Sequence, residues 1–480
     1  MFHRSLNSCV SVLAASILVA AVSGCDKYAE NPGADLEDGS YVLIIGEPSG
    51  DSLLQMPGFG EGPVFFADSI LIDLSDEYSR LGVSLVQIPD PACFDMADIY
   101  SDRSVSPSAT VLSIPDQQDS LFACIQSAGF RPTLQICDSY YSYEMLSNTS
   151  ADGGGDPAEY PSLALVELVR HFGDTEVWGE DCLDGVEIIN LQTDSSTASD
   201  RTLLNGYFIS AVQAIQIEFP DLPVGGGGFI VTEEALADTM FRSLFRQLEE
   251  SAVSLDFITF RINSPDLDMY RNIPLLIRDI MGEYGMEDIE LHLTGMNMNL
   301  AGQDDDAPCP MDMPQGAATL TSILLLLQEA DVTNAYITPI IDCSAETGFV
   351  SGAGLFEEDG SPRLTAEVLL LWKHLLDHPA RVDAGVTRYG EDECPIYRQM
   401  NVIAGEDRKG ELAILIVSMS GDSSQIKLEY LSRWVTSGAN GVILKLDPLG
   451  DSLITEPFME TSIHLGPYET LLVLTAPEGY

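Results

Sequence analysis

From residue 41 to about residue 380, short apolar, β-branched runs alternate with stretches of helical period. The runs predict strands at 41–47 (YVLIIGE), 83–90, 131–138, 185–192, 223–231, 255–263, 288–297 and 334–342. Between them lie amphipathic stretches such as Ser162 to Phe172, Thr202 to Phe219, Glu234 to Ser251 and Ala318 to Ala330, and Leu364 to Leu376 closes the series. Eight continuous apolar strands, each followed by a helix, imply a parallel sheet covered on both faces. Eight is also the number at which such a sheet closes, so the expected class is α/β, a (β/α)8 TIM barrel. After residue 385 the texture changes. Runs at 397–406, 412–420, 424–432, 440–447 and 463–476 alternate with Gly, Asn, Asp and Ser turns and contain no long helix, which predicts a C-terminal antiparallel β-sandwich domain.

The first 40 residues read differently. His3 and Arg4 precede a 13-residue apolar run, Val10 to Val22, followed by Ser23, Gly24 and Cys25. A short apolar core ending in small residues describes a signal peptide, and it is too short for a comfortable membrane span. Val22-Ser23-Gly24-Cys25 resembles a bacterial lipobox, which implies lipidation at Cys25 and anchoring to a membrane through that residue. The expected organisation is 1–24 lipoprotein signal peptide, 25–40 tether, 41–380 barrel and 385–480 β-sandwich. The location is then the cell envelope, lipid-anchored, on a periplasmic or extracellular face. Seven further cysteines remain in the exported chain (93, 124, 137, 182, 309, 343 and 394), so two or three disulfides with one thiol left over are expected, in no pairing the sequence fixes.

Charge narrows the partners. Lys and Arg total 22 against 75 Asp and Glu, a net charge of −53. Such a surface repels phosphate backbones, which excludes nucleic acid, and it disfavours acidic polysaccharides. A neutral glycan is the ligand class that remains compatible. A protein partner is not specified by the composition.

Several motifs have bland readings that outweigh the chemical ones. Gly50-Asp51-Ser52-Leu53 resembles the nucleophile block of an esterase class, but no His stands three residues after an Asp to act as base. His374 and His378 share one helix face but sit at the end of the outer ring, away from where barrels do chemistry. Gly225 to Gly228 lies within a strand rather than before a helix, so no phosphate cradle is expected. The acidic loops Asp152–Asp156 and Asp304–Asp306 lack a calcium-binding pattern, and neither metal nor cofactor is expected.

Barrel chemistry occurs at the C-terminal strand ends, and there the chain resembles a glycoside hydrolase of the β-xylosidase/α-L-iduronidase family. That family carries catalytic glutamates at the ends of strands four and seven. Its strand-four text is close to W-E-I-W-N-E-P-N, against Val186-Glu187-Ile188-Ile189-Asn190-Leu191-Gln192 here. Its strand-seven text is close to I-T-E-W-N, against Leu293-Thr294-Gly295-Met296-Asn297. The approach to strand five (Phe219-Pro220-Asp221, then Val224-Gly225-Gly226), strand six (Leu255 to Phe260) and the closing segment from Phe349 to Leu376 follow in the same order.

The departures bear on chemistry. The resemblance puts Leu191 where the acid/base glutamate stands and Gly295 where the nucleophile stands. Arg261 replaces the family's strand-six histidine, and Val86-Gln87-Ile88-Pro89 replaces its strand-two Arg-x-His. Retaining hydrolysis needs a carboxylic acid and a carboxylate, and neither Leu nor Gly supplies either. No catalytic residue is therefore assigned. Asn190, Gln192, Asn297, Arg261, Asp138 and Asp342 form the candidate glycan-binding cleft, with Asn190 placed by the resemblance on a sugar 2-hydroxyl. The expected function is a degenerate, non-catalytic glycoside-hydrolase-like lipoprotein that binds a glycan or acts as a scaffold. The competing reading is an active glycoside hydrolase with relocated carboxylates at Asp138, Asp342 or Glu187, and a third is a purely structural envelope protein.

Overall fold

A computed structural model describes residues 40–67, 70–88, 99, 112–114, 116–136, 159–179, 182–190, 192, 196–298, 310–342, 353–388, 395–430, 441–447, 453–458 and 462–475. Cys25, Asp138 and Leu191 lie outside these residues, as do the signal peptide, the tether and both acidic loops.

The chain enters through β1 (Tyr41–Ser52) and then builds a closed barrel. Barrel strand one is β2 (Met56–Phe59), followed by a small hairpin of β3 (Val64–Ala67) and β4 (Ile70–Asp73). Strands two to eight are β5 (Val86–Ile88), β6 (Pro132–Ile136), β7 (Gly185–Ile189), β8 (Val224–Ile230), β9 (Phe257–Asn263), β10 (Glu290–Asn297) and β11 (Asn334–Ile337). Every neighbouring pair is parallel, and β11 pairs back on β2 to close the ring.

One strand was misplaced by the sequence pattern. Tyr41–Ser52 is not barrel strand one; it lies in the terminal sheet, so the barrel begins at Met56 rather than at 41. Tyr41, Leu43 and Ile45 are buried in the sandwich core, and an apolar run of that length suits either sheet. The true first strand is only four residues long and contains Pro57 and Gly58, which hide it from a propensity reading. Gly58 is needed because a Cβ there would lie 2.7 Å from the Leu85 Cβ of the neighbouring segment.

The terminal sheet adds β12 (Ala380–Arg388), β13 (Met400–Glu406), β14 (Leu412–Ser418), β15 (Ser424–Tyr430), β16 (Gly441–Leu446), β17 (Leu453–Phe458), β18 (Ser462–Leu465) and β19 (Thr470–Thr475). The nine strands run in the order β17-β16-β19-β14-β13-β12-β1-β15-β18, antiparallel except for β1 against β15. The sandwich therefore starts at residue 380 and borrows one strand from the N-terminal side of the barrel. Its inner face buries Leu412, Ile414, Ile416, Ile426 and Val473. The alternate residues Ala413, Leu415 and Leu472 join the barrel's own core cluster, so β14 is covered on both faces and reads as continuously apolar.

The helices obey the same logic. In Glu234–Ser251 the buried Ala237, Met240, Phe241, Leu244, Phe245 and Leu248 recur at helical spacing on one face, against the strands. Pro314–Glu329 is instead buried from Gly316 to Gln328, because the barrel covers one side and the terminal sheet the other. A helix apolar all round is the expected sequence for that position.

Candidate functional site

The barrel interior is organised around one carboxylate. Glu187, in the middle of strand four (β7), is fully buried. The Gln87 amide donates to its Oε2 at 3.0 Å, the Gln135 amide to the same oxygen at 2.7 Å, and the Thr294 hydroxyl to Oε1 at 2.7 Å. These donors come from strands two, three and seven, so the group sits across the barrel axis. Strand five leaves room for it. A Cβ on Gly228 would stand 3.4 Å from Glu187 Oε1, while Cβ atoms on Gly225 and Gly226 would collide with the Phe257 and Ile188 carbonyls at 2.1 Å. The glycine run is a device for close strand approach, in keeping with its position inside a strand.

Above this layer, strand six carries Arg261, two residues before its end at Asn263. Its stem lies over Gly295 of strand seven: a Cβ built on Gly295 would be 3.0 Å from Arg261 Cγ and 3.2 Å from Cδ. The two residues are in register, so the arginine stem fills the space that a side chain at position 295 would use. Arg261 Nε and Nη2 are enclosed and meet no hydrogen-bond partner among the described residues. An enclosed guanidinium with idle donors is uncommon and asks for an acceptor.

The other cleft residues fall into three groups. Asn190 and Gln192, just past strand four, both donate their amides to Asn205 Oδ1 of helix Ala198–Glu218, Asn190 at 2.8 Å. Asn205 in turn donates to Ser243 Oγ on the next helix at 3.2 Å. Asn190 Oδ1 and Gln192 Oε1 remain buried without a partner among the described residues. Asn297 ends strand seven, and its carbonyl accepts from Ser264 N–H and from the Tyr270 hydroxyl. Asp342, after strand eight, is already engaged. Its Oδ1 accepts from Gly354 N–H at 2.8 Å and its Oδ2 pairs with Arg363 at 2.6 Å, both acid and base being almost fully enclosed. Arg363 also reaches Asp312, which ties two loops and the start of the last barrel helix together. Asp342 is thus one end of a structural clasp, whereas Asn190, Gln192 and Arg261 gather at the ends of strands four and six.

One residue escaped the sequence reading. Glu61 follows strand one on the same C-terminal face, and its Oε2 accepts the Ile340 N–H at 3.0 Å. Burial raises its pKa to about 7 against the opposing effect of backbone N–H groups at Ile340 and Ile341. It was overlooked because strand one itself was misplaced; once Met56–Phe59 is the strand, Glu61 stands at a position that can carry chemistry.

The remaining motifs are structural. Asp51 and Ser52 are exposed in β1, and Ser52 pairs with Ala380 in the sandwich. His378 Nδ1 lies 3.1 Å from the His374 carbonyl, and the His378 carbonyl leaves no room for a Cβ at Gly405, so this helix end packs on the terminal sheet. Of the seven cysteines after Cys25, Cys124 is a free thiol among the described residues, Cys182 Sγ lies 3.2 Å from the Phe172 carbonyl, and the other five lie outside the described residues.

A closed parallel eight-stranded barrel with a C-terminal curled β-sheet is also the fold of several solved glycoside hydrolases. No family model matches the sequence, and no curated protein matches it. Solved structures do match in fold. A glucosidase from Croceicoccus marinus is 18% identical with a TM-score of 0.64, covering 92% of this chain and 100% of that one. A monomeric β-xylosidase from Caulobacter crescentus is 12% identical with a TM-score of 0.61, covering 91% and 100%. A family 51 α-L-arabinofuranosidase from Bifidobacterium longum is 12% identical with a TM-score of 0.60, covering 92% and 100%. At these identities the likeness is one of fold across nearly the whole length.

Proposed function

We propose that this protein is a lipid-anchored envelope protein whose glycosidase-like barrel binds a neutral glycan without hydrolysing it. The observation that carries the reading is at strand seven. Gly295 offers no carboxylate, and the stem of Arg261 occupies the space above it. Two of the three carboxylates suggested as substitutes are committed elsewhere, Glu187 to three side-chain donors and Asp342 to Arg363 and Gly354, and Asp138 lies outside the described residues. Binding is supported by the idle groups at strands four and six. Arg261 offers donors, and Asn190 and Gln192 offer acceptors, all lacking partners among the described residues. A polyhydroxylated ligand supplies both kinds of complement. With Leu191 and Gly295 at the two catalytic positions of the resembled family, proton donor and nucleophile are both lost, and a general acid alone is worth about 10²–10⁴-fold.

The test is turnover and binding on the same preparation. The purified protein is expected to release no aryl alcohol above blank from activated aryl xylosides, glucosides and arabinofuranosides. Neutral oligosaccharides should bind, and Arg261→Met should weaken that binding.

A second reading has one observation in its favour. Glu61, with a pKa of about 7 at the end of strand one, has the ionisation of a general acid at neutral pH. Hydrolysis by the unmodified protein that disappears in Glu61→Gln, or on changing Asp138 or Asp342, would establish a relocated active site and overturn the binding reading.

A further inference from the structure

A second cavity lies away from the barrel axis, between the helical ring and the terminal sheet, with a volume of about 340 Å³. On the barrel side it is lined by Pro314 and Ala317, in the first turn of helix Pro314–Glu329, and by Leu364, the first residue of Leu364–Leu376. Barrel helices begin where their preceding strands end, so this cavity opens at the same end of the molecule as the barrel mouth. On the sheet side it is lined by Lys445, Glu456, Glu469, Tyr468, Pro467 and Ile454.

The polar groups form one compact cluster. Lys445 Nζ stands 3.2 Å from Glu456 Oε2 and 3.2 Å from Glu469 Oε1, and Glu469 Oε2 accepts the Gly466 N–H at 2.6 Å. Burial opposes the charge on Lys445, but Glu469 and Glu456 outweigh it and hold the ammonium above its usual pKa. The ammonium has three N–H donors and uses two here, so one remains, beside the spare lone pairs of two carboxylates. Around the cluster the wall is apolar, with Ile454 40% exposed. Tyr468 is held at φ 52°, a backbone region that costs energy for any residue but glycine, with its N–H donated to the Ser420 carbonyl at 3.0 Å. Glycine would make this turn without strain, yet a ring is kept there.

The geometry points to this cavity as a binding site for a single neutral pyranose or similar small polyol. A donor and two acceptors within about one hydroxyl spacing match a vicinal diol, in which one hydroxyl accepts from Lys445 while its neighbour donates to Glu456 or Glu469. The ring's C–H face has Pro467, Ile454 and Tyr468 to lie against. The volume is at the small end for ligand sites, which fits one ring rather than a chain. Two carboxylates against one ammonium disfavour an anionic ligand, and the ammonium disfavours a cationic one. This site is distinct from the barrel mouth and stands whether or not the mouth binds glycan.

The experiment is done with the full protein carrying Arg261→Met, which weakens the mouth. Saturation-transfer NMR is run with methyl β-D-xylopyranoside and methyl β-D-glucopyranoside, with glucose 6-phosphate as the anionic comparison. Both neutral glycosides should bind this protein. Adding Glu456→Gln, at an exposed carboxylate that folding tolerates, or Lys445→Met should weaken them at least tenfold. Absence of binding to the Arg261→Met protein, undiminished binding after the cavity substitutions, or preference for the phosphate would each overturn the proposal. Equal binding by wild type and Arg261→Met would count against the mouth alone.

Discussion

Glu187→Ala separates a structural carboxylate from a catalytic one. In the folded protein Glu187 is fully buried and receives three side-chain hydrogen bonds, from Gln87, Gln135 and Thr294. Truncation to Ala removes the acceptor of all three bonds in a buried interior. Each stranded neutral donor costs about 1–3 kcal/mol, and partial rearrangement among two flexible amides recovers some of it. The lost carboxyl also leaves a small void. A net loss of about 4 kcal/mol is a reasonable centre. With an unfolding entropy of about 2.1 cal/mol/K per residue over a cooperative unit of roughly 320 residues, that corresponds to a fall in Tm of about 6 °C. Differential scanning calorimetry measures it. Glu187→Gln keeps one acceptor oxygen and should lose about half as much. Replacing the whole set (Glu187→Met, Gln87→Leu, Gln135→Leu, Thr294→Val) removes both sides of the three bonds together and should recover part of the stability. A Tm change below about 2 °C for Glu187→Ala would refute the claim that the carboxylate is committed to the cage, and Glu187 would return as a candidate for chemistry.

Three further outcomes are expected. Gly295→Glu should destabilise the protein and restore no hydrolysis, since its Cβ meets the Arg261 stem at 3.0 Å; pairing it with Arg261→Ala should recover stability, and thermal melts of the two variants read this directly. Glu61 has a folded pKa of about 7 against an ordinary 4.5, so the folded state holds the proton more tightly than the unfolded chain. Stability contributed by the neutral carboxyl is then present below about pH 4.5 and lost as pH rises through about 7, by about 3 kcal/mol in all. Urea midpoints of Glu61→Gln should therefore exceed wild type at pH 8 and match it at pH 4.5, and an unchanged difference between the two pH values would sink the assignment. Cys25→Ser should abolish labelling by a radioactive fatty acid and release the protein from the membrane fraction; retained labelling would refute lipidation at Cys25.

Strand and helix alternation reaches the level of sequence because each barrel strand is covered on both faces and outer helices such as Glu234–Ser251 on one. Those burial patterns leave continuous apolar runs and helical periods, and seven of the eight barrel strands were legible from them. Their order also placed strands four and seven, and with them Asn190 and Gly295. The partner sheet of an apolar run is a different matter. Tyr41–Ser52 carries the same pattern whether it pairs with a barrel strand or with Ala380–Arg388, and only the long-range pairing distinguishes them. Met56–Phe59 is a strand because Leu85 and Tyr336 pack on Gly58, not because of its own residues. The site divides in the same way. Residue types at the strand ends are fixed by sequence, but their availability is set by distant partners: Arg363 occupies Asp342, Asn205 takes the amides of Asn190 and Gln192, and none of the described residues pairs Arg261 Nε. A side chain's chemistry is local, whereas the partners that occupy it or leave it idle come from elsewhere in the chain and meet it only in the folded barrel.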